Sequence, residues 1–163
     1  MSGFASTDKR LHTIKTRMKG FPLEPMRLVR MTYHLQKTLR DKTNAALKSH
    51  ELADASYMVL AVLYGSVEET ASASELGEAC FEKPANLTRV CDDLQGRGLI
   101  VRGERPGDRR AVMLTLTDAG RALIEQALPA VYGDVASAFG GFSAADMRQY
   151  AELSERLLKA LQE

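Results

Sequence analysis

The stretch from Gly107 to Gly120 constrains the fold more than any other part of the chain. Gly107-Asp108-Arg109-Arg110 is a tight, doubly basic turn that leads into Ala111-Val112-Met113-Leu114-Thr115-Leu116. In that run Val112, Leu114 and Leu116 share one face, the period of a half-buried strand. Thr117-Asp118-Ala119-Gly120 then reads as a helix start with Thr117 as N-cap. Leu99 to Glu104 supplies a preceding strand, with Pro106-Gly107 turn chemistry before the second strand at Arg110 to Leu116. A hairpin whose second strand feeds straight into a helix is the arrangement that satisfies all of these signals.

Two short helices are expected just upstream. Ser72-Ala73-Ser74-Glu75 has the capping-box spacing, and the helix after it buries Ala73, Leu76 and Cys80. Pro84 suits the first position of the next helix, because its missing N–H has no intrahelical partner there. Lys83 is a poor N-cap residue. Leu87, Val90, Cys91 and Leu94 then recur at i, i+3, i+4 and i+7, and Gly98 ends the helix. Two short helices followed by a basic hairpin describe a winged helix-turn-helix.

The flanks are helical. From Met26 to about Lys48, Leu28, Met31, Leu35, Leu39 and Leu47 follow three- and four-residue steps, with one gap. Asp54 is placed to cap a helix from Ala55 to Tyr64, apolar almost all round, and Gly65 to stop it. Asp118 to about Phe139 forms a further helix that Pro129 is expected to bend or interrupt. Gly140-Gly141 breaks the chain, and Ser143 caps a last helix with Tyr150, Leu153, Leu157 and Leu161 on one side. Pro22 and Pro25 bracket the end of the N-terminal stretch and discourage a continuous helix there. The expected architecture is mainly α with a small β-hairpin wing (α+β). A basic N-terminal arm covers 1–24, a helical dimerisation region 25–52 and 118–163, and the winged helix-turn-helix domain 53–117. Long helices at both ends leave more apolar face than one small winged domain covers. Leu11, Ile14, Phe21, Leu153, Leu157 and Leu161 are therefore the candidates for a shared dimer core.

The formal net charge of +1 over 163 residues hides an asymmetry. Lys9, Arg10, Lys15, Arg17 and Lys19 face only Asp8 in the first twenty residues. Residues 83–110 are net basic and residues 111–163 net acidic. Basic charge gathers where a DNA reader would sit. No stretch approaches the ~18 apolar residues of a membrane span, and Phe4 to Leu11 holds no signal-peptide core. Cys80 and Cys91 form no metal or disulfide pattern and fall on apolar stripes, so buried structural thiols in a cytoplasmic protein are expected. His12, His34 and His50 are scattered, without metal-ligand spacing. No cofactor is implied. Nucleophile-elbow, phosphate-loop and zinc-protease motifs are absent from the sequence, so an enzyme is not expected.

On the second helix of the pair, Asn86 can pair with adenine, Arg89 with guanine or phosphate, and Thr88 with phosphate or a thymine methyl. Asp92 and Asp93 would repel phosphate, so they are expected on internal arginines or at the rim. At the hairpin tip Arg105, Arg109 and Arg110 suit the focused negative potential of a narrow minor groove. Asp108 can hold the Arg110 guanidinium in one orientation. The alternative reading is a winged-helix protein-interaction module that does not bind DNA, which the acids on the helix keep open.

Asp108 and Arg110, then five residues, then Leu116, Thr117 and Gly120 make a pattern that resembles the MarR family signature. Thr88-Arg89-Val90-Cys91-Asp92-Asp93-Leu94 followed by Gly98-Leu99-Ile100 resembles that family's recognition helix and its entry to the wing. The layout is similar from about Leu11 to Leu161. The Leu28-to-Asn44 helix and Asn86-Leu87-Thr88-Arg89 are most similar to the branch of multidrug-efflux repressors. The resemblance implies a homodimer whose terminal helices intertwine and whose two winged domains bind a pseudo-palindrome in double-stranded DNA. It implies that Arg110 probes the minor groove while Asp108 orients it. It also implies release from DNA by small phenolic or aromatic acids lodged between the dimerisation helices and the winged domain. His34, Lys37, Tyr57, Arg110 and Tyr132 are the candidates for that effector site, since cationic groups beside aromatic walls suit an aromatic carboxylate.

Overall fold

The computed structural model describes residues 3–105 and 108–162, and the side chains of these outside 104–111. Ten α-helices and β-strands follow in order: α1 (Ala5–Arg17), α2 (Leu23–Leu47), α3 (Asp54–Tyr64), β1 (Thr70–Ser72), α4 (Ala73–Cys80), α5 (Pro84–Gly96), β2 (Ile100–Arg105), β3 (Asp108–Leu116), α6 (Asp118–Ala138) and α7 (Ala144–Gln162).

The N-terminal stretch expected as an arm is largely helix α1. Asp8 in its first turn and Lys15 and Arg17 in its last complement the helix dipole. Leu11 is buried, and the Asp8 carboxylate accepts from Arg27 Nε at 2.7 Å, docking α1 on α2. The helix is interrupted between Arg17 and Leu23, as the prolines lead one to expect, and both prolines then serve the start of α2. Pro22 stands at its N-cap and Pro25 in its first turn, where no intrahelical N–H bond is lost.

α3 is the centre of the core, and Val59, Leu60 and Leu63 are fully buried on it. It begins one residue earlier than expected, with Ala53 at the N-cap and no side-chain cap from its own segment. The cap comes from α2, where the Asn44 side-chain oxygen accepts from the Asp54 N–H at 3.1 Å. The capping box on α4 forms in full, with Glu75 N–H on Ser72 Oγ at 3.2 Å and Ser72 N–H on Glu75 Oε2 at 2.7 Å. Leu76, Leu94, Ile100, Leu114 and Ile124 close the core around α3.

The hairpin belongs to a three-stranded antiparallel sheet of order β1-β3-β2. β1 pairs Ala71 with Leu114 and Ser72 with Met113, so it anchors the start of α4 to the wing's second strand. β3 leads directly into α6, whose Gly120 N–H is held by Thr117 Oγ1 at 3.0 Å. α6 runs through Pro129 without interruption. α7 is capped by Ser143, whose Oγ accepts from Asp146 N–H at 3.1 Å while Asp146 accepts from Ser143 N–H at 2.9 Å. α7 carries no buried residue. Among the described residues, no helix is long and apolar enough to cross a membrane, and no group of His, Cys, Asp and Glu side chains could hold a metal.

Candidate nucleic-acid interface

α4 and α5 form the helix pair, joined by a turn in which Phe81 takes a left-handed backbone (φ 54°). Leu87, Val90, Cys91 and Leu94 are all buried, so α5 presents its other side to solvent. Thr88 and Arg89 are exposed on that side. The Thr88 hydroxyl donates to the Pro84 carbonyl at 2.9 Å. Asn86 is half-buried and uses both ends of its amide internally. Its Nδ2 donates to Glu82 Oε2 at 2.6 Å, and its Oδ1 accepts from Arg89 Nη2 at 3.1 Å. A bidentate adenine contact would require Asn86 to leave both partners.

The acids of α5 are paired. Asp92 Oδ1 lies 2.6 Å from Arg102 Nη2 on β2, and Arg102 also donates to Gln95 Oε1 at 2.8 Å. Asp93 sits 3.8 Å from Arg97, which in turn donates to the Glu51 carbonyl at 3.1 Å. These pairs screen acids that would otherwise face a phosphate backbone.

The wing follows at once. β2 and β3 pair from Ile100↔Leu116 out to Arg105↔Asp108, with a register shift between Glu104 and Arg105. That pairing brings the Arg105 and Asp108 backbones opposite each other at the tip. The side chains of Arg105, Asp108, Arg109 and Arg110, and Pro106-Gly107 entirely, lie outside the described residues.

The effector candidates are not brought together as expected. Lys37 is paired with Asp41 on its own helix. His34 packs beside Phe4, with ring centroids 6.0 Å apart. Tyr57 is buried in the core, where desolvation pushes its hydroxyl pKa up with help from Asp54, and Tyr132 is exposed on α6. Arg110 falls among the undescribed side chains. A cleft of about 360 Å³ does open between α2, α3 and the α4–α5 turn, lined by Gln36, Leu39, Arg40, Thr43, Asp54, Met58, Cys80, Phe81 and Glu82. The cation at this cleft is Arg40, three residues beyond Lys37 and so close to it on the surface of α2. The sequence signal for it was helical spacing. What distinguishes the two is that Lys37 has an acid four residues on, whereas Arg40 meets its acids across the fold.

A helix pair with a solvent-facing second helix, followed by a β-wing on a three-stranded sheet, defines a winged helix-turn-helix protein. The MarR family model matches residues 50–111. The chain is 28% identical to the transcriptional repressor MprA of Escherichia coli strain K12 over 98% of this chain and 91% of that protein. Sco3205, a MarR family regulator from Streptomyces coelicolor solved in complex with DNA, superimposes with a TM-score of 0.77 at 20% identity, covering 86% of this chain and 92% of that one. CouR from Rhodococcus jostii RHA1, solved bound to p-coumaroyl-CoA, gives 0.71 at 24% identity, covering 78% and 88%. Residues 50–111 thus match the MarR family, and over nearly its whole length the chain is similar to a transcriptional repressor of winged helix-turn-helix type.

Proposed function

We propose that this regulator is a homodimeric repressor that leaves a pseudo-palindromic operator when a small aromatic or phenolic acid binds. The observation that carries the reading is the solvent face of α5. It exposes Thr88 and Arg89 and has its aspartates tied to Arg102 and Arg97, immediately beside a basic wing. Arg89 is assigned to guanine or phosphate, and Thr88, its hydroxyl proton already engaged, to a thymine methyl. Arg105, Arg109 and Arg110 supply the minor-groove contacts, with Asp108 orienting Arg110.

Dimerisation is assigned to the terminal helices. Leu153, Leu157 and Leu161 on α7 are 50%, 50% and 75% exposed in the single chain, an apolar row that needs a cover. Ile14 on α1, which is exposed, and Phe21 after it are assigned to the same dimer core. Leu11 already packs within its own chain and acts by holding α1 in place. Residues 25–52 and 118–163 thus form the dimerisation region around a winged domain at 53–117, and the dimer works where the DNA is, in the cytoplasm. The spacing of two recognition helices would be near one DNA turn, about 34 Å.

For the effector, the cleft against α2 pairs a guanidinium, Arg40, with apolar and aromatic walls at Met58 and Phe81. It joins the dimerisation region to the winged domain, so a ligand that prefers one separation of the two shifts the DNA equilibrium.

The test is a gel shift on the intergenic DNA upstream of the protein's own gene, across a salt series, with and without salicylate. Affinity should fall steeply with salt, by roughly 0.9 in log–log slope per phosphate neutralised. Arg110→Ala should weaken binding by on the order of ten-fold or more, and salicylate should release the wild-type protein from the DNA. A flat salt response with no effect of Arg110→Ala would overturn the DNA assignment in favour of a protein-interaction module. Tight binding untouched by salicylate would overturn the effector assignment alone.

A further inference from the structure

Arg40 faces two acids at once. Its Nε lies 2.9 Å from Asp54 Oδ2 and its Nη2 3.9 Å from Glu82 Oε1. The other oxygen of the same Glu82 carboxylate accepts from Asn86 Nδ2 at 2.6 Å, and Asn86 Oδ1 accepts from Arg89 Nη2 at 3.1 Å. The orientation of the Asn86 amide is dictated by its neighbours. Its two donors must face the carboxylate and its acceptor the guanidinium, since the reverse sets oxygen against oxygen and donor against donor. A chain of polar contacts therefore runs from α2, through the α4–α5 turn, to the exposed guanidinium on α5, with an ion-pair contact as its first link and hydrogen bonds as the others.

We infer that Glu82 and Asn86 are positioning residues that couple Arg40 in the cleft to Arg89 on the DNA-facing helix. This rests on the assignment of α5 as the DNA reader. Asn86 is not an adenine reader here; it aligns Arg89. The links differ in strength. Arg40 and Asp54 are in close contact, whereas Arg40 and Glu82 stand beyond direct hydrogen-bonding distance. An anion arriving at Arg40 competes first with Glu82. Once released, the carboxylate no longer holds Asn86 in the orientation that aligns Arg89. The path gives the cleft a route to the reading helix within one subunit, separate from any change in the spacing of two subunits.

Double-mutant cycles on DNA affinity test this, using a duplex selected by the wild-type protein from a random-sequence pool. Glu82→Ala should weaken binding roughly three- to ten-fold when Arg89 is present and by less than about two-fold in an Arg89→Ala background. Arg40→Ala should show the same dependence on Arg89. Asn86→Ala crossed with Arg89→Ala repeats the test at a helix position where alanine favours the fold, and keeps it decisive if Glu82→Ala does not fold. A purely structural role for Glu82 would cost the same in both backgrounds, and equal losses in every cycle would overturn the coupling while leaving DNA reading intact. Selection of no duplex by the wild-type protein would overturn the DNA assignment and the coupling with it.

Discussion

Asp92 on α5 and Arg102 on β2 tie the second helix of the pair to the wing, with Oδ1 and Nη2 2.6 Å apart. The pair is exposed enough that its worth to stability is at most about 1 kcal/mol. Its consequence lies at the DNA. Arg102→Ala should leave the melting temperature nearly unchanged but lower DNA affinity several-fold, because it uncovers a carboxylate beside the phosphates. Adding Asp92→Ala to that variant should recover most of the loss. Fluorescence anisotropy on a labelled duplex reads both steps; no recovery in the double variant would show that Arg102 itself contacts DNA.

Gly120 is set by a close approach. A Cβ there would stand 2.1 Å from the Leu99 carbonyl oxygen and 2.9 Å from Leu116 Cδ1. That same carbonyl accepts from Thr117 N–H at 3.1 Å, so it has no freedom to retreat without breaking the strand-to-helix junction. Gly120→Ala should cost about 3 kcal/mol or more in a urea titration. Thr117→Ala, which removes the cap and the hydroxyl's bond to the Gly98 carbonyl at 2.8 Å, should cost about 1–2 kcal/mol.

The apolar row on α7 distinguishes an intersubunit role from an intrachain one. Leu157→Asp should convert the dimer to monomer in sedimentation velocity and abolish tight DNA binding, with the winged domain still folded. Leu11→Ala should instead destabilise the chain itself, by roughly 2–5 kcal/mol, because Leu11 is only 5% exposed in the single subunit. A monomeric wild-type protein at micromolar concentration would remove the basis for the first expectation.

Burial pushes the Cys80 thiol up from 9.0 to about 11, with smaller contributions from Cys91 and Glu82. Burial likewise raises Cys91. A raised acid pKa favours the protonated thiol in the folded state. Its contribution to stability is full below pH 9.0 and is lost as pH rises through about 11. Denaturant midpoints should therefore fall across that window, and less so for Cys80→Ser. At pH 8 both thiols should react with a disulfide dye at the rate of unfolding, not at the rate of a free thiol.

Much of this fold could be read from local signals. Each of the capping residues Ser72, Thr117 and Ser143 acts within three residues of its partner, and the stripe from Leu87 to Leu94 declares its buried face by spacing alone. β1 left no such trace. At three residues it has no period, and it exists only because β3 offers it an edge. α1 was obscured by counting its charges and the prolines beyond it, when its helix is settled by docking Leu11 and Asp8 on α2.

The same division runs through the site. The helix pair, the basic wing and the exposed Thr88 and Arg89 of α5 were legible from the chain alone, because caps, turns and apolar periods act between residues close in sequence. The sequence pointed to the cationic side of α2 but not to which cation faces the cleft. The meeting of Arg40 with Asp54 and Glu82, the cover that Arg102 gives Asp92 and the engagement of Asn86 at both ends arise from packing between distant segments. Arg40 and Glu82 are forty-two positions apart in the chain, and charged side chains carry no period that marks a distant partner. Their pairing follows from how α2 lies against the α4–α5 turn, which is set by packing of the buried core around α3.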